Sequence, residues 1–305
     1  MFISTDNGTV RGLVGDIEAV RLIGEAGFNG IDFTFYEMKP ERNVLALSHD
    51  ERYAAAMNIR EKAEKYHLVF PQTHAPYDYC YGEGKDSVHY QEVIKSLEFS
   101  SWLGCKQVVI HTLKFVDGTT QERSDEINRE FMRSFLPYAE KYDVNIGVEN
   151  LFKPDIKRHC FTGQHETPEK MNAFVDSLES NRFRVCCDLG HAAITGVEPQ
   201  DFILGMNAGR MTMLHVQDTN YLDDSHTIPF LGLHEWDKIT DALAQINYEG
   251  FINLEVLHFY ERFPQAMIPA ALSMARESAA YLASQVEQKK QALAKISTSR
   301  NTGND

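Results

Sequence analysis

The sequence predicts an α/β protein, a single-domain (β/α)8 TIM barrel with a C-terminal helical extension, and three features point to it. Short apolar runs alternate with longer amphipathic stretches through most of the 305 residues, the pattern of βα units and not of a sandwich. The runs number eight, enough to close a barrel. Residues that make good metal ligands stand at the ends of these runs, where such a barrel carries its site.

The predicted strands begin near Phe2, Gly30, Leu68, Gln107, Val144, Phe183, Met211 and Phe251. Glycines mark several entries: Gly27 and Gly30 flank the turn into the second strand, Gly104 precedes the fourth and Gly250 the eighth. Between the runs, apolar residues recur at helical spacing, as in Ile17, Val20, Ile23 and Gly24, or Ile127, Phe131, Phe135 and Tyr138. The loops that follow strands are the longer ones, notably Tyr77 to Asp86, Phe152 to Thr167 and Asp218 to Leu233, and such loops build active sites in this architecture. The barrel is expected over residues 1–286, with a polar tail over 287–305 in which a last helix fades into a flexible end.

Composition narrows the function. No apolar stretch is long enough to span a bilayer, and Met1 to Asp6 lacks the basic flank and apolar segment of a signal peptide, so the expected location is the cytoplasm. The five cysteines, Cys80, Cys105, Cys160, Cys186 and Cys187, show no CxxC spacing and read as reduced core thiols. A formal net charge of -14 repels polyanions, which favours a small-molecule substrate over nucleic acid. A homo-oligomer is compatible with all of this, and a membrane partner is not.

Nine residues carry the chemistry: His74, His111, Glu149, Asp188, His191, His215, Asp224, His226 and Glu255. The runs Ile146-Gly147-Val148-Glu149, Val185-Cys186-Cys187-Asp188, Met213-Leu214-His215 and Ile252-Asn253-Leu254-Glu255 each read as a buried strand ending in an acid or imidazole. A charge buried there is costly unless compensated, and one shared cation compensates all four. Each residue alone has a plainer reading. Asp188 suits the N-cap of the next helix, and His215 suits a core histidine bonded to a carbonyl. Glu149 is the harder to explain away, because glutamate is a poor strand former. Four strand ends in a row supplying a ligand at equivalent positions favour a divalent metal centre.

The motifs Thr73-His74-Ala75-Pro76-Tyr77, Val109-Ile110-His111, Gly147-Val148-Glu149-Asn150, Cys187-Asp188-Leu189-Gly190-His191, Leu214-His215-Val216-Gln217-Asp218 and Leu254-Glu255 together resemble the xylose isomerase-like barrels. That group includes sugar and sugar-phosphate isomerases and epimerases, and also the endonuclease IV type of repair enzyme; the resemblance covers about residues 1–285. In the ketose epimerase branch it implies one ion, commonly manganese, on Glu149, Asp188, His215 and Glu255. Glu149 and Glu255 are then the acid/base pair that exchanges a proton through an enediolate, and His191 holds a substrate oxygen. In the repair branch the resemblance implies three zinc ions: one on His74, His111 and Glu149, one on Glu149, Asp188, His215 and Glu255, and one on His191, Asp224 and His226. Ketose epimerases usually place an arginine six residues after the seventh-strand histidine, where this chain has Tyr221.

The bare chemistry agrees with the sugar reading, since a proton beside a carbonyl is too weakly acidic to remove unless the growing oxyanion is stabilised. Isomerisation, epimerisation and dehydration of a polyol all begin with that step, so the reading spans the three. A carbohydrate-binding barrel without catalysis would have no use for two facing glutamates on a metal. Histidine-rich ligation favours Mn2+ or Zn2+, with Mg2+ and Co2+ compatible. The loops Tyr79 to Gly84, Asp218 to Asp224 and Val256 to Glu261 are acidic or aromatic, which suits a sugar better than a duplex. Phe33, Tyr36, Tyr77, Tyr79, Trp236 and Phe259 suit either stacking on a sugar ring or core packing. Lys153, Lys157 and Arg158 suit a solvated loop better than a phosphate site, and Lys85 is the other basic exception.

Overall fold

The structure is a computed structural model that describes residues 1–36, 42–77, 82, 84–113, 119–155 and 157–301. Its frame is a ring of eight parallel strands: β1 (Ile3–Asp6), β2 (Gly30–Thr34), β3 (Thr73–His74), β4 (Gln107–Ile110), β5 (Asn145–Glu149), β8 (Phe183–Asp188), β9 (Met211–His215) and β10 (Ile252–Leu254). The strands β6 (Phe152–Asp155) and β7 (Cys160–Gly163) form a separate antiparallel hairpin between β5 and β8. A single parallel bridge, Val216 to Leu254, joins β9 to β10 and completes the ring, with Val216 N donating to the Asn253 carbonyl at 2.8 Å.

Around and above the ring lie α1 (Gly8–Val14), α2 (Asp16–Ala26), α3 (His49–Lys65), α4 (Val88–Leu103), α5 (Gln121–Ser134), α6 (Leu136–Tyr142), α7 (Pro168–Ser177), α8 (Leu189–Ile194), α9 (Pro199–Gly205), α10 (Trp236–Gln245), α11 (Leu257–Glu261) and α12 (Ile268–Asn301). The last of these carries the C-terminal extension. No helix among the described residues is long and apolar enough to cross a membrane.

Several expectations need correction, among them that of five core thiols, since Cys160 is exposed. Pairing of the third strand starts at Thr73 and not at Leu68; Val69 makes a lone bridge to Gly30, and Pro71, which has no N–H to donate, interrupts the ladder. The apolar stripe Ile127, Phe131, Phe135 and Tyr138 belongs to two helices, because α5 ends at Ser134 and Pro137 opens α6. The hairpin β6–β7 falls where a plain loop was expected.

Alternation along the strands sorts the core into two parts. Val108, Ile110, Ile146, Val148, Val185, Cys187 and Leu214 pack into the large core shared with the helices, while their neighbours Val109, Cys186 and Met213 form a small cluster of their own inside the ring. Gly147 belongs to the interior set: a Cβ there would stand 2.6 Å from Met213 Sδ, so the absent side chain is the space that the methionine fills.

Candidate metal centre

Each interior position has a chemical residue two places further on, at the C-terminal end of its strand. Val109 is followed by His111, Gly147 by Glu149, Cys186 by Asp188, Met213 by His215 and Asn253 by Glu255. Because strand side chains alternate with a period of two, these five share the inner face at the barrel mouth. His74 joins them from β3, and the short helix α8 and the loop after β9 bring in His191, Asp224 and His226.

The nine residues assemble into three groups whose ligand atoms lie within 4.8 Å of one another: His74, His111 and Glu149; Glu149, Asp188, His215 and Glu255; and His191, Asp224 and His226. Glu149 is common to the first two. Its Oε2 lies 2.9 Å from His111 Nε2 and 3.4 Å from His74 Nε2, while its Oε1 lies 3.3 Å from His215 Nδ1. The same nitrogen also meets Glu255, whose Oε2 is 3.1 Å from His215 Nδ1. In the third group, Asp224 Oδ2 lies 2.9 Å from His226 Nε2 and 3.5 Å from His191 Nε2.

Backbone groups aim the imidazoles. His74 Nδ1 donates to the Ala75 carbonyl at 2.9 Å, His191 Nδ1 to that of Asn150 at 3.0 Å and His226 Nδ1 to that of Glu255 at 3.0 Å. A carbonyl oxygen only accepts, so Nδ1 carries a proton in each and Nε2 is the nitrogen turned to the group. The carboxylates are held as well. Asn150 clasps the backbone of Asp188, donating to its carbonyl and accepting from its N–H, both at 2.8 Å. Gln217 Nε2 donates to Asp188 Oδ2 at 3.1 Å and to Asp224 Oδ1 at 3.0 Å, and its Oε1 accepts from His226 N at 2.9 Å. Tyr36 donates its hydroxyl to Glu255 Oε1 at 3.0 Å. Asp188 is also the N-cap of α8, accepting from His191 N at 2.7 Å, so the capping role and membership of the group coexist.

Comparison with known proteins gives the family and the fold. The family model described as Xylose isomerase-like TIM barrel matches residues 20–285. The chain belongs to this family. A curated relative, the uncharacterized protein y4fM of Sinorhizobium fredii, is 29% identical over 172 residues, and the match spans 54% of this chain and 51% of that protein, about half its length. Among solved structures, a D-tagatose 3-epimerase-like protein superposes with a TM-score of 0.71 at 19% identity, covering 95% of this chain and 99% of that one. The IOLI protein with a bound zinc atom gives 0.73 at 16% identity, covering 94% and 99%. A family 2 AP endonuclease from Brucella melitensis gives 0.67 at 16%, covering 92% and 100%.

In this member of the xylose isomerase-like family the donor set fits a divalent cation. Glu149, Asp188 and Glu255 are at most 5% exposed and gather around one imidazole, a concentration of buried negative charge that needs a positive partner. Without an ion, the histidines take that part. Burial favours neutral His215, yet Cys186, Glu255 and Glu149 outweigh it and hold the ring well above its ordinary value. Burial likewise opposes the charge on His226, but Asp224 raises it to about 10. Against the same penalty, His215 and His111 hold Glu149 well below the usual carboxylate range, and His215 holds Glu255 near 2. Asp188 goes the other way: burial pushes it up to about 6, with His191 opposing and Glu149, Glu255 and Asp224 adding to the rise. A cation on the group would relieve the repulsion and release the imidazole protons.

The groups open onto a cavity of about 500 Å³. His74, His111, Glu149, His191, Asp224, His226 and Glu255 line one side; Leu113, Leu151, Phe152, Pro154 and Leu257 supply an apolar wall, with Tyr36 and Tyr77 between. Of the aromatic candidates, Tyr36 and Tyr77 therefore face the cavity. Phe33 is wholly buried among Phe35, Phe70 and Phe99, Trp236 donates its indole N–H to Asp218, and Phe259 packs on Tyr260 and Phe263. Tyr79, with Cys80, Tyr81 and Glu83, lies outside the described residues. Lys153 lines the cavity while Lys157 and Arg158 are exposed in the turn of the hairpin. Tyr221, standing where an arginine is usual, donates to Glu198 Oε2 at 3.1 Å. Sequence reasoning missed Phe152, Gln164, Leu257 and His258 on the wall; none sits at the end of a strand of the ring, and only the hairpin and α11 bring them in.

Proposed function

We propose that the chain is a divalent-metal-dependent sugar or sugar-phosphate isomerase or epimerase. The observation that carries this reading is that Glu149, at the end of β5, and Glu255, just past β10, line one cavity and belong to one four-residue group with Asp188 and His215. Held by these four, Mn2+ or Zn2+ supplies the electrophile that makes a proton beside a carbonyl acidic enough to move. Glu149 and Glu255 take that proton from carbon and return one, as the only carboxylates of the group that line the cavity. Tyr36 fixes Glu255 through its hydroxyl and leaves Oε2 free to point at the group. His191 offers Nε2 to a substrate hydroxyl, and the apolar wall formed by Leu113, Phe152 and Leu257 keeps bulk water from the reacting carbon. The similarity to an epimerase-like protein and to a zinc-bound family member supports the same class.

The test is metal analysis of the purified chain, then a panel of ketoses and their phosphates followed by proton exchange from solvent deuterium. Glu255→Gln should lower turnover by about 100-fold or more while sugar binding persists, because an amide keeps the shape but cannot carry a proton. Near-full exchange by the variant excludes Glu255 as the base.

The completeness of all three groups favours a second reading, an abasic-site phosphodiesterase with three zinc ions. A duplex needs several phosphate contacts, yet Lys153 is the one lysine or arginine among the described residues that line the cavity. We expect no nicking of an abasic duplex above a metal-only control; nicking abolished by Glu255→Gln would replace the sugar reading with this one.

A further inference from the structure

Three of the histidines at the mouth direct a ring nitrogen to a backbone carbonyl, and His215 does not. Its Nδ1 faces Glu149 and Glu255, while its Nε2 points down into the barrel, where the nearest carboxylate oxygen is Asp32 Oδ2 at 3.6 Å. Both residues are at most 1% exposed. Among the described residues His215 Nε2 has no partner within hydrogen-bonding distance, and neither has the other oxygen of Asp32, Oδ1. A buried N–H without an acceptor thus faces a buried carboxylate with an acceptor to spare, and a shift of a few tenths of an ångström joins them.

The surroundings show that Asp32 is held for this direction. Its Oδ2 accepts from Gln72 Nε2 at 2.8 Å and from Asn253 Nδ2 at 2.9 Å, and Ser4 Oγ donates to Asn253 Oδ1 at 2.6 Å. β1, β2, the chain entering β3, and β10 all contribute to this polar floor. Amides are its donors; among the described residues no lysine or arginine bonds to Asp32, so His215 is the group that offers it a charged or strongly polarised N–H.

We propose that Asp32 is a positioning residue for the metal centre: it accepts a hydrogen bond from the Nε2–H of His215, which fixes the tautomer with the Nδ1 lone pair toward Glu149 and Glu255 and strengthens the imidazole as a ligand. An outer carboxylate of this kind is commonly worth about 10–100-fold in metal affinity. The inference rests on the metal reading above, and its test separates the two.

The experiment measures Mn2+ and Co2+ affinity by competition with a chromophoric chelator for the full chain, Asp32→Asn and Ser4→Ala, with unfolding curves of each metal-free form. It adds the proton spectrum of the Co2+-loaded, histidine-15N-labelled protein. Wild type should bind and show a slowly exchanging N–H on Nε2 of His215. Asp32→Asn should bind about 10–100-fold more weakly with that signal lost or moved, and Ser4→Ala, in the same floor but three contacts from the histidine, should bind within threefold of wild type. Binding by Asp32→Asn within threefold with an unchanged N–H overturns the proposal and leaves the metal reading standing. Failure of the wild type to bind either ion overturns both. Should Asp32→Asn not fold, the wild-type spectrum still decides, since an Nε2 that carries no proton overturns the role assigned to Asp32.

Discussion

Asp188 and Asp218 are both fully buried at the barrel mouth, and they are buried in opposite ways. Asp218 is surrounded by donors: Thr219 N and His234 N reach Oδ1 at 2.9 and 3.1 Å, and Phe230 N and Trp236 Nε1 reach Oδ2, both at 2.9 Å. Four N–H groups satisfy its charge and tie the loop after β9 into one body. Asp188 accepts from His191 N and Gln217 Nε2, and its other close neighbours include Glu149, Glu255 and Asp224, which with burial push it up to about 6. A carboxylate that the fold has satisfied is structural; one kept among other acids needs a positive partner, the part that the proposed cation would take.

The contrast breaks most sharply by mutation. Asp218→Ala strands four N–H groups, three of them buried, and should cost about 3–5 kcal/mol in denaturant unfolding of the metal-free chain. Asp188→Asn keeps the shape and removes one of several repelling charges. It should change the same stability by less than about 1 kcal/mol, in either direction, while metal affinity falls at least tenfold. If both variants lose stability equally, the two aspartates are of one kind and Asp188 is not a ligand held in reserve.

A smaller effect tests how the acids are kept together. Gly190 lies in α8, where alanine ordinarily stabilises by about 0.5–1 kcal/mol. Here its Cβ would stand 2.4 Å from Gln217 Cδ, the side chain that bridges Asp188 and Asp224. Overpacking should win, so Gly190→Ala is expected to destabilise by about 1–3 kcal/mol and to weaken metal binding. A stabilised variant would show that the bridge yields at no cost.

These comparisons also mark what a sequence exposes. The ring and the nine residues gathered at its mouth were legible because strand period and barrel geometry force acids and imidazoles to the ends of apolar runs, where their chemical cost makes them conspicuous. Gln217, Asn150 and Asp32 were not, since an amide beside a ligand, or an acid early in a run such as Gly30-Ile31-Asp32-Phe33, carries no sign of its partner until the strands are paired. The hairpin β6–β7 escaped for another reason: Phe152–Asp155 contains a lysine and a proline, and neither announces a strand. Its wall of the cavity is a product of tertiary contact.

Asp6 lies between the two kinds of carboxylate and yields the subtlest effect, a change of slope. Its Oδ1 accepts from Val256 N at 2.9 Å, but its buried Oδ2 has no partner. Burial raises it from its ordinary 3.8 to about 7, the Val256 N–H opposing and Glu255 and Asp32 adding to the rise. Between these values the folded chain holds a proton that the unfolded chain has lost, so Asp6 leaves stability intact below about pH 4 and subtracts from it as pH rises toward 7. In Asp6→Asn there is no proton to lose. Unfolding of the chelator-treated protein between pH 4 and 8 should therefore show the variant gaining on wild type as pH rises, with the gain levelling off above about 7. A difference between the two that does not change with pH would mean that Asp6 is ionised throughout, satisfied like Asp218 by donors around it.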